Sequence, residues 1–468
     1  MNSSVLRRYL GDAAFYRRAL AVAVPIMIQN GITQLVSMLD NIMVGRVGTE
    51  QMTGVSIANQ LLFVFSLAIF GAVSGAGIFA AQFHGKGDNG GVRLAFRFKL
   101  LFCTVLTVAG IALLIFFGDG LIRAYLRGEG TPERIEASFG YARRYLRVML
   151  LGLPPFVLSQ CYSSTLRECE QTVVPMVAGI VAVLTNLCLN ALLIFGLLGL
   201  PALGCVGAAI ATVVSRFVEL AVVALWAHLH PKRCPYVTGL YRSLRIPAAL
   251  TRRMLLKTLP LMVNETLWAG GMALLAQAYS LGGYNVVPAV NICSTISNVF
   301  NVAFLAMGTA IGIIVGRLLG ANRFEEAVET DRKLIVFSVA ICFVIGGVMA
   351  LLAPLFPQIY HTTDDIRSLA AQLIRIAALC MPLNSLANAC YFTLRSGGKT
   401  FVTFLFDSFY VCIVTVPMAY ILSRYTGIGI RSLFFVCQLA DIGKCVVGLI
   451  MIRRRAWVQN IVREEVTA

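Results

Sequence analysis

Shifted by 235 residues, the sequence falls back on itself. Arg18-Ala19-Leu20 and Pro25-Ile26-Met27 meet Arg253-Met254-Leu255 and Pro260-Leu261-Met262. The same shift lays Val55-Ser56-Ile57 on Val290-Asn291-Ile292, Phe65 on Phe300, Gly77 on Gly312 and Gly85 on Gly320. A shift of 228 lays Arg147 on Arg375, Pro154 on Pro382 and Leu166-Arg167 on Leu394-Arg395. Two similar halves in one strongly apolar chain predict a transporter made of two helical bundles around a central cavity.

The chain is 58% hydrophobic and 13% charged, with a mean hydropathy of +0.80. Soluble domains are nearer a quarter charged. So much apolar surface needs lipid to cover it. The net charge of +17 would fit nucleic acid, but the charges lie between apolar spans, so no nucleic-acid partner is expected. The 13 cysteines form no CxxC and read as small buried hydrophobes. The histidines, His84, His228, His230 and His361, are too scattered for a metal site. His228 and His230 read as a helix end at the membrane surface. Arginines Arg7, Arg8, Arg17 and Arg18 precede a long apolar span with no small-residue cleavage pattern, so the first helix is expected to stay in the mature protein.

Twelve spans near the length needed to cross a bilayer can be drawn. Their limits are 16–43, 54–82, 94–117, 141–165, 172–196, 204–228, 254–280, 287–316, 333–355, 369–393, 402–423 and 428–452. The third is the cleanest, and the first and seventh lean on the repeat. With the N-terminus inside, most of the 39 basic residues fall in cytoplasmic segments. Both ends are then cytoplasmic. The Arg143-Arg144…Arg147 cluster sits on the wrong side and reads as a surface-lying helix before the fourth span. The expected division is a six-helix bundle over 1–228, a proline-containing linker over 229–253 and a second six-helix bundle over 254–468. Equal topology relates the bundles by an axis along the membrane normal.

Ionisable groups inside spans are the candidate functional residues, because a charge at mid-bilayer costs about 2.5–3.5 kcal/mol even on the lenient scale. Asp40 lies in the outer half of span one. It either binds a proton, or holds a sodium ion with other oxygens, or is solvated at the helix end. Asn186 and Asn190 share one face of span five. Neutral amides coordinate a cation or bond a protonated acid; they also serve as interhelical hydrogen bonds. Glu265 in span seven falls opposite Asn30 rather than Asp40 in the repeat, so the halves share shape and not chemistry. Asp407 is a weaker candidate. Asp441 with Lys444, and Arg216 with Glu219, read as structural pairs. Gly308, Gly312, Gly316 and Gly320 form a ladder for close helix approach. No P-loop, HExxH or GxSxG pattern occurs, so an enzyme is not expected and energy must come from an ion gradient.

These residues resemble the multidrug and toxic compound extrusion (MATE) transporters over about residues 15–455. The likeness rests on Pro25…Asp40-Asn41…Gly45-Arg46-Val47-Gly48, on Gly75-Ala76-Gly77…Gln82-Phe83-His84-Gly85 and on Gly308…Gly316-Arg317-Leu318-Leu319-Gly320-Ala321. Leu394-Arg395-Ser396-Gly397-Gly398-Lys399-Thr400 adds to it. The resemblance implies an all-α, V-shaped pair of six-helix bundles. It implies antiport of amphipathic, often cationic drugs against protons or sodium, by a monomer in the bacterial cytoplasmic membrane, with no cofactor. Asp40 matches the family's first-helix ion-binding acid, and Asn186 and Asn190 match the polar pair beside it. A coupling sodium would lie at these three residues. Glu265 matches a seventh-helix acid of one subgroup, whose tenth-helix acid is replaced here by Asn384. A substrate or second cation site would therefore draw on Glu265, Asn384 and Asp407, with Asp40 as the main coupling residue. A flippase of a lipid-linked glycan is the rival reading; it should show several basic residues in its cavity, whereas only Arg216 and Lys444 lie deep within the spans here.

Overall fold

The computed structural model describes residues 9–126, 131–199, 201–281, 283, 286–360 and 362–463, without the side chains of Ser37, Met38, Asn41 and Ile42. Arg7, Arg8, Arg127, His361 and the Asn41 side chain lie outside the described residues. Within them the chain forms twelve long helices. These are α1 (Ala13–Gly45), α2 (Thr49–Lys86), α3 (Asn89–Tyr125), α4 (Pro132–Glu168), α5 (Val173–Phe195) and α6 (Cys205–Leu229). After the linker come α7 (Ala248–Ser280), α8 (Val286–Gly320), α9 (Phe324–Leu352), α10 (Asp364–Ser396), α11 (Thr400–Tyr425) and α12 (Ile430–Arg453).

Ten of the twelve are long and apolar enough to cross a membrane. The other two are α4 and α7, whose arginines, hydroxyls and, in α7, Glu265 dilute the apolar character. The Arg143–Arg147 cluster is not a separate surface helix. It lies inside the unbroken α4, where Arg143 pairs with Asp119 at 3.0 Å and Arg144 lies over the Tyr141 ring at 5.0 Å. His228 falls in the last turn of α6 and His230 caps it. The cysteines are free, and all but Cys188 and Cys412 are buried.

The chain divides into two compact units. One holds residues 28–80 and 89–255; the other holds 1–27, 81–88 and 256–468. In the first, α5 turns one stripe inward: Pro175, Ala178, Ala182, Asn186, Asn190 and Ile194. The spacing of three and four is that of one helix face. Its alanines allow close packing on α6, itself lined by Gly207, Ala208 and Ala211. A fully buried Lys99 of α3 meets Glu168 of α4 at 2.5 Å, Ser164 at 2.6 Å and Thr165 at 3.2 Å.

In the second unit, Val22, Ala23 and Ile26 of α1 pack on Ala306, Met307, Ala310 and Ile313 of α8. The glycine ladder of α8 works as close-approach points: Gly308 and Gly312 face Phe392 of α10, Gly316 faces Ala81 and Gly320 faces the Gln82 backbone. The contact is reciprocal, because Gly85 lies against the Arg317 backbone. A Cβ on either glycine would overlap a carbonyl. Gln82 then ties this crossing to the chain end, donating to Ser396 O at 3.0 Å and accepting from Ile461 N at 2.8 Å. Trp457 is buried in the same knot.

Candidate ion and substrate sites

Asp40 of α1 and the asparagine pair of α5 meet within the first unit. Asn190 Nδ2 donates to Asp40 Oδ1 at 2.7 Å and lies 3.0 Å from Asn186 Oδ1. The same end of the Asn186 amide stands 3.0 Å from Asp40 Oδ1 and 3.2 Å from Oδ2. Its other end faces Thr212 Oγ1 of α6 at 3.2 Å. Both asparagines are buried and Asp40 is half-buried. Asn190 Oδ1 is buried with no hydrogen-bond partner.

Three polar atoms, one from each side chain, thus form a triangle within hydrogen-bond reach of one another. An ionised carboxylate oxygen only accepts, an amide nitrogen only donates and an amide oxygen only accepts. With three corners and two kinds of atom, every orientation of the two amides leaves at least one pair of like atoms in contact. Asn186 Oδ1 toward Asp40 sets oxygen against oxygen. Turning that amide sets nitrogen against the Asn190 nitrogen; turning both moves the conflict to Asn190 and Asp40. A proton on the carboxylate removes the conflict, since a carboxylic acid both donates and accepts. A cation does the same with all the oxygens turned inward, as hard cations prefer.

The second unit holds a longer chain of polar contacts. Tyr391 of α10 donates to Glu265 Oε1 at 3.4 Å. Asn264 Nδ2 lies 3.4 Å from Tyr391 Oη and 3.1 Å from Asp407 Oδ2. Lys444 then bridges Asp407 at 3.3 Å and Asp441 at 3.4 Å. Asp407 and Ser408 sit on a wide π-type turn of α11. The Ser408 backbone N–H donates to the Asn264 side-chain oxygen at 3.3 Å, which fixes the amide's direction. Wide turns of this kind recur at functional positions. Three carboxylates stand against the Lys444 ammonium and the nearby Arg395 guanidinium, which leaves this chain acidic by one charge and suited to a cationic guest.

Glu265 and Asp407 are therefore joined, through Asn264 and Tyr391. Asn384 is not part of the chain: its Oδ1 is buried without a partner, as is that of Asn388 one turn on. Asp441 and Lys444 pair as the three-residue spacing predicts, and Arg216 pairs with Glu219 at 3.4 Å. Asn264, Tyr391 and Thr212 carry no signal in the sequence beyond being polar groups in apolar helices.

The sequence profile of the MatE family matches residues 25–192 and 260–421, together more than half of the chain. The "Probable multidrug resistance protein NorM" of Thermotoga maritima is 23% identical over 94% of this chain and 93% of its own length. The "Probable multidrug resistance protein YoeA" of Bacillus subtilis is 24% identical over 88% of each. A solved structure described as the outward-facing conformation of a multidrug resistance MATE family transporter superposes with a TM-score of 0.84. It is 21% identical and covers 97% of this chain and 98% of its own.

Proposed function

The chain belongs to the MatE family of multi-pass membrane transporters rather than to any enzyme class, and from that premise we propose that it is an efflux antiporter. It exports amphipathic, often cationic compounds in exchange for inward protons or sodium ions. Asp40, Asn186 and Asn190 bind the coupling ion. The acidic chain of Glu265, Asn264 and Asp407 receives the substrate or a second cation. The protein works as a monomer in the cytoplasmic membrane with both ends inside.

One observation carries this reading: the triangle of Asp40, Asn186 and Asn190, whose conflict a proton or cation relieves. Binding there turns amides that link α1, α5 and α6, so occupancy and helix packing are coupled. Coupling requires that ion and substrate favour different states of the protein.

The test is dye efflux from proteoliposomes under a proton gradient or a sodium gradient, with wild type and Asp40→Asn. One gradient should drive efflux, and the substitution should stop it while leaving the protein folded. Wild-type-like efflux by the variant would remove Asp40 from the mechanism. If neither gradient moves a cationic dye, a lipid-linked glycan becomes the better substrate class.

A further inference from the structure

The segment between α6 and α7 carries a feature that a plain linker does not need. Residues 234–240 are folded onto α3 by two arginines. Arg97 donates to the carbonyls of Leu240 and Gly239, each at 2.8 Å, and Arg93 to that of Tyr236 at 3.1 Å. Cys234, Tyr236, Val237 and Leu240 are buried beneath. Burial pushes the Cys234 thiol and the Tyr236 hydroxyl up in pKa, so both stay neutral.

A cavity of about 430 Å³ opens between this segment and the end of α6. Its wall includes His228, Pro231, Thr238, Gly239, Tyr241 and Arg242. The volume lies in the range of small-molecule sites, roughly 300–1,000 Å³. One side is a fixed polar cluster: Tyr162 Oη lies 2.5 Å from Tyr241 Oη and 3.0 Å from His228 Nε2. The His228 and Tyr241 rings stack, with their planes 15° apart.

Two further observations define the occupant. First, the exposed apolar stripe of α6, Val214, Phe217, Leu225 and Leu229, runs straight down to His228, and Leu229 is 73% exposed. Such a stripe on a membrane-spanning helix suits contact with acyl chains, and its last residue, Leu229, adjoins His228 of the cavity wall. Second, the charge is one-sided. No Asp or Glu occurs between Glu219 and Glu265, a stretch that holds seven Lys and Arg. Lys232, Arg233, Arg242 and Arg245 are exposed, and no side-chain hydrogen bond or ion pair engages them among the described residues. A hollow with Arg242 in its wall and further exposed cations in the same segment, at the end of an apolar helix stripe, fits an anionic headgroup whose acyl chains follow that helix.

We propose that this cavity is a binding site for an anionic phospholipid. The phosphate is held by Arg242 and His228, and the chains lie along Leu225 and Leu229. The site is separate from the Asp40 triangle and from the acidic chain, so it stands or falls independently of transport.

Native mass spectrometry tests it on the full-length protein in detergent, with equal amounts of phosphatidylglycerol and phosphatidylcholine. The first retained lipid should be phosphatidylglycerol. Arg242→Gln should lower its retention about fivefold, the factor expected from one cation near a membrane surface, and leave phosphatidylcholine unchanged. Excess inorganic phosphate should not displace the lipid. Equal retention of the two lipids overturns the proposal. So does a variant that melts at the wild-type temperature and retains phosphatidylglycerol as the wild type does. Displacement by inorganic phosphate would mean a site for soluble anions and overturns it as well. If Arg242→Gln fails to fold, the wild-type preference between the two lipids decides alone.

Discussion

Asn190 Nδ2 stands 2.7 Å from Asp40 Oδ1, across 150 positions of sequence. It is one side of a three-membered ring of polar atoms that closes only with an added proton or cation. Removing one corner removes the conflict and with it the response to the ion. Asn190→Ala should therefore lower gradient-driven dye efflux about tenfold or more, the loss expected from a hydrogen bond to a charged group. Dye binding without a gradient should stay within about twofold, because that change is too small for a lost charged hydrogen bond. Efflux at the wild-type rate would show that the ring plays no part in coupling.

Lys99 is fully buried and meets Glu168 together with two hydroxyls. Removing one partner of a buried pair strands the other charge, at a cost of about 3–5 kcal/mol. Lys99→Met should lower the unfolding free energy in detergent by that much, read from denaturant titration. The double variant Lys99→Met with Glu168→Gln should recover most of the loss, since no unpaired charge then remains. Equal destabilisation of the single and double variants would argue against this account.

Glu265 ends the acidic chain of the second unit, where Tyr391 donates to it at 3.4 Å. No ion pair engages its carboxylate among the described residues, and Arg395 acts on it only through space. Glu265→Gln should raise the KM of a singly cationic dye about tenfold, which corresponds to about 1.4 kcal/mol. The KM of a neutral dye should stay within about twofold, because no charge contact is lost. A parallel rise for both dyes would assign Glu265 to helix bracing instead.

Gly320 and Gly347 give a paired test of close approach. A Cβ at Gly320 would overlap the Gln82 carbonyl, whereas one at Gly347 meets nothing within 4 Å. Gly320→Ala should lower the unfolding free energy in detergent by about 1–3 kcal/mol, the cost typical of overpacking. Gly347→Ala should be neutral or stabilise by up to about 1 kcal/mol.

Much of this was legible in the sequence. The apolar runs gave the helices, because a helix that must sit in lipid announces itself by composition. The four-residue spacing of Asn186 and Asn190 put both on one face, and Asp40 was conspicuous as a charge in an apolar run. The acidic chain was legible only in part. Asn264, Tyr391 and Lys444 come from three helices far apart in sequence, and no periodicity within one helix reveals a partner on another. Lys444 was paired with Asp441 by spacing, yet it also serves Asp407. The arginines of α4 misled for a related reason: charge pattern reads them as a surface helix, while ion pairing and ring contacts carry them along one continuous helix. The knot around Gln82 and Trp457 left no signal, since backbone carbonyls are invisible to sequence.

The crossing of α2 and α8 has a meaning beyond packing. Residues 82 and 317 are equivalent under the 235-residue shift, as are 85 and 320. Gly85 touches 317 and Gly320 touches 82, so each copy of the repeat gives the other what it receives. That is the pattern of an isologous contact between two identical subunits. The polypeptide has thus kept a dimer-like handshake inside a single chain. The two copies have been free to diverge in charge, to Asp40 in one and Glu265 in the other, while the handshake holds their ancestry in place.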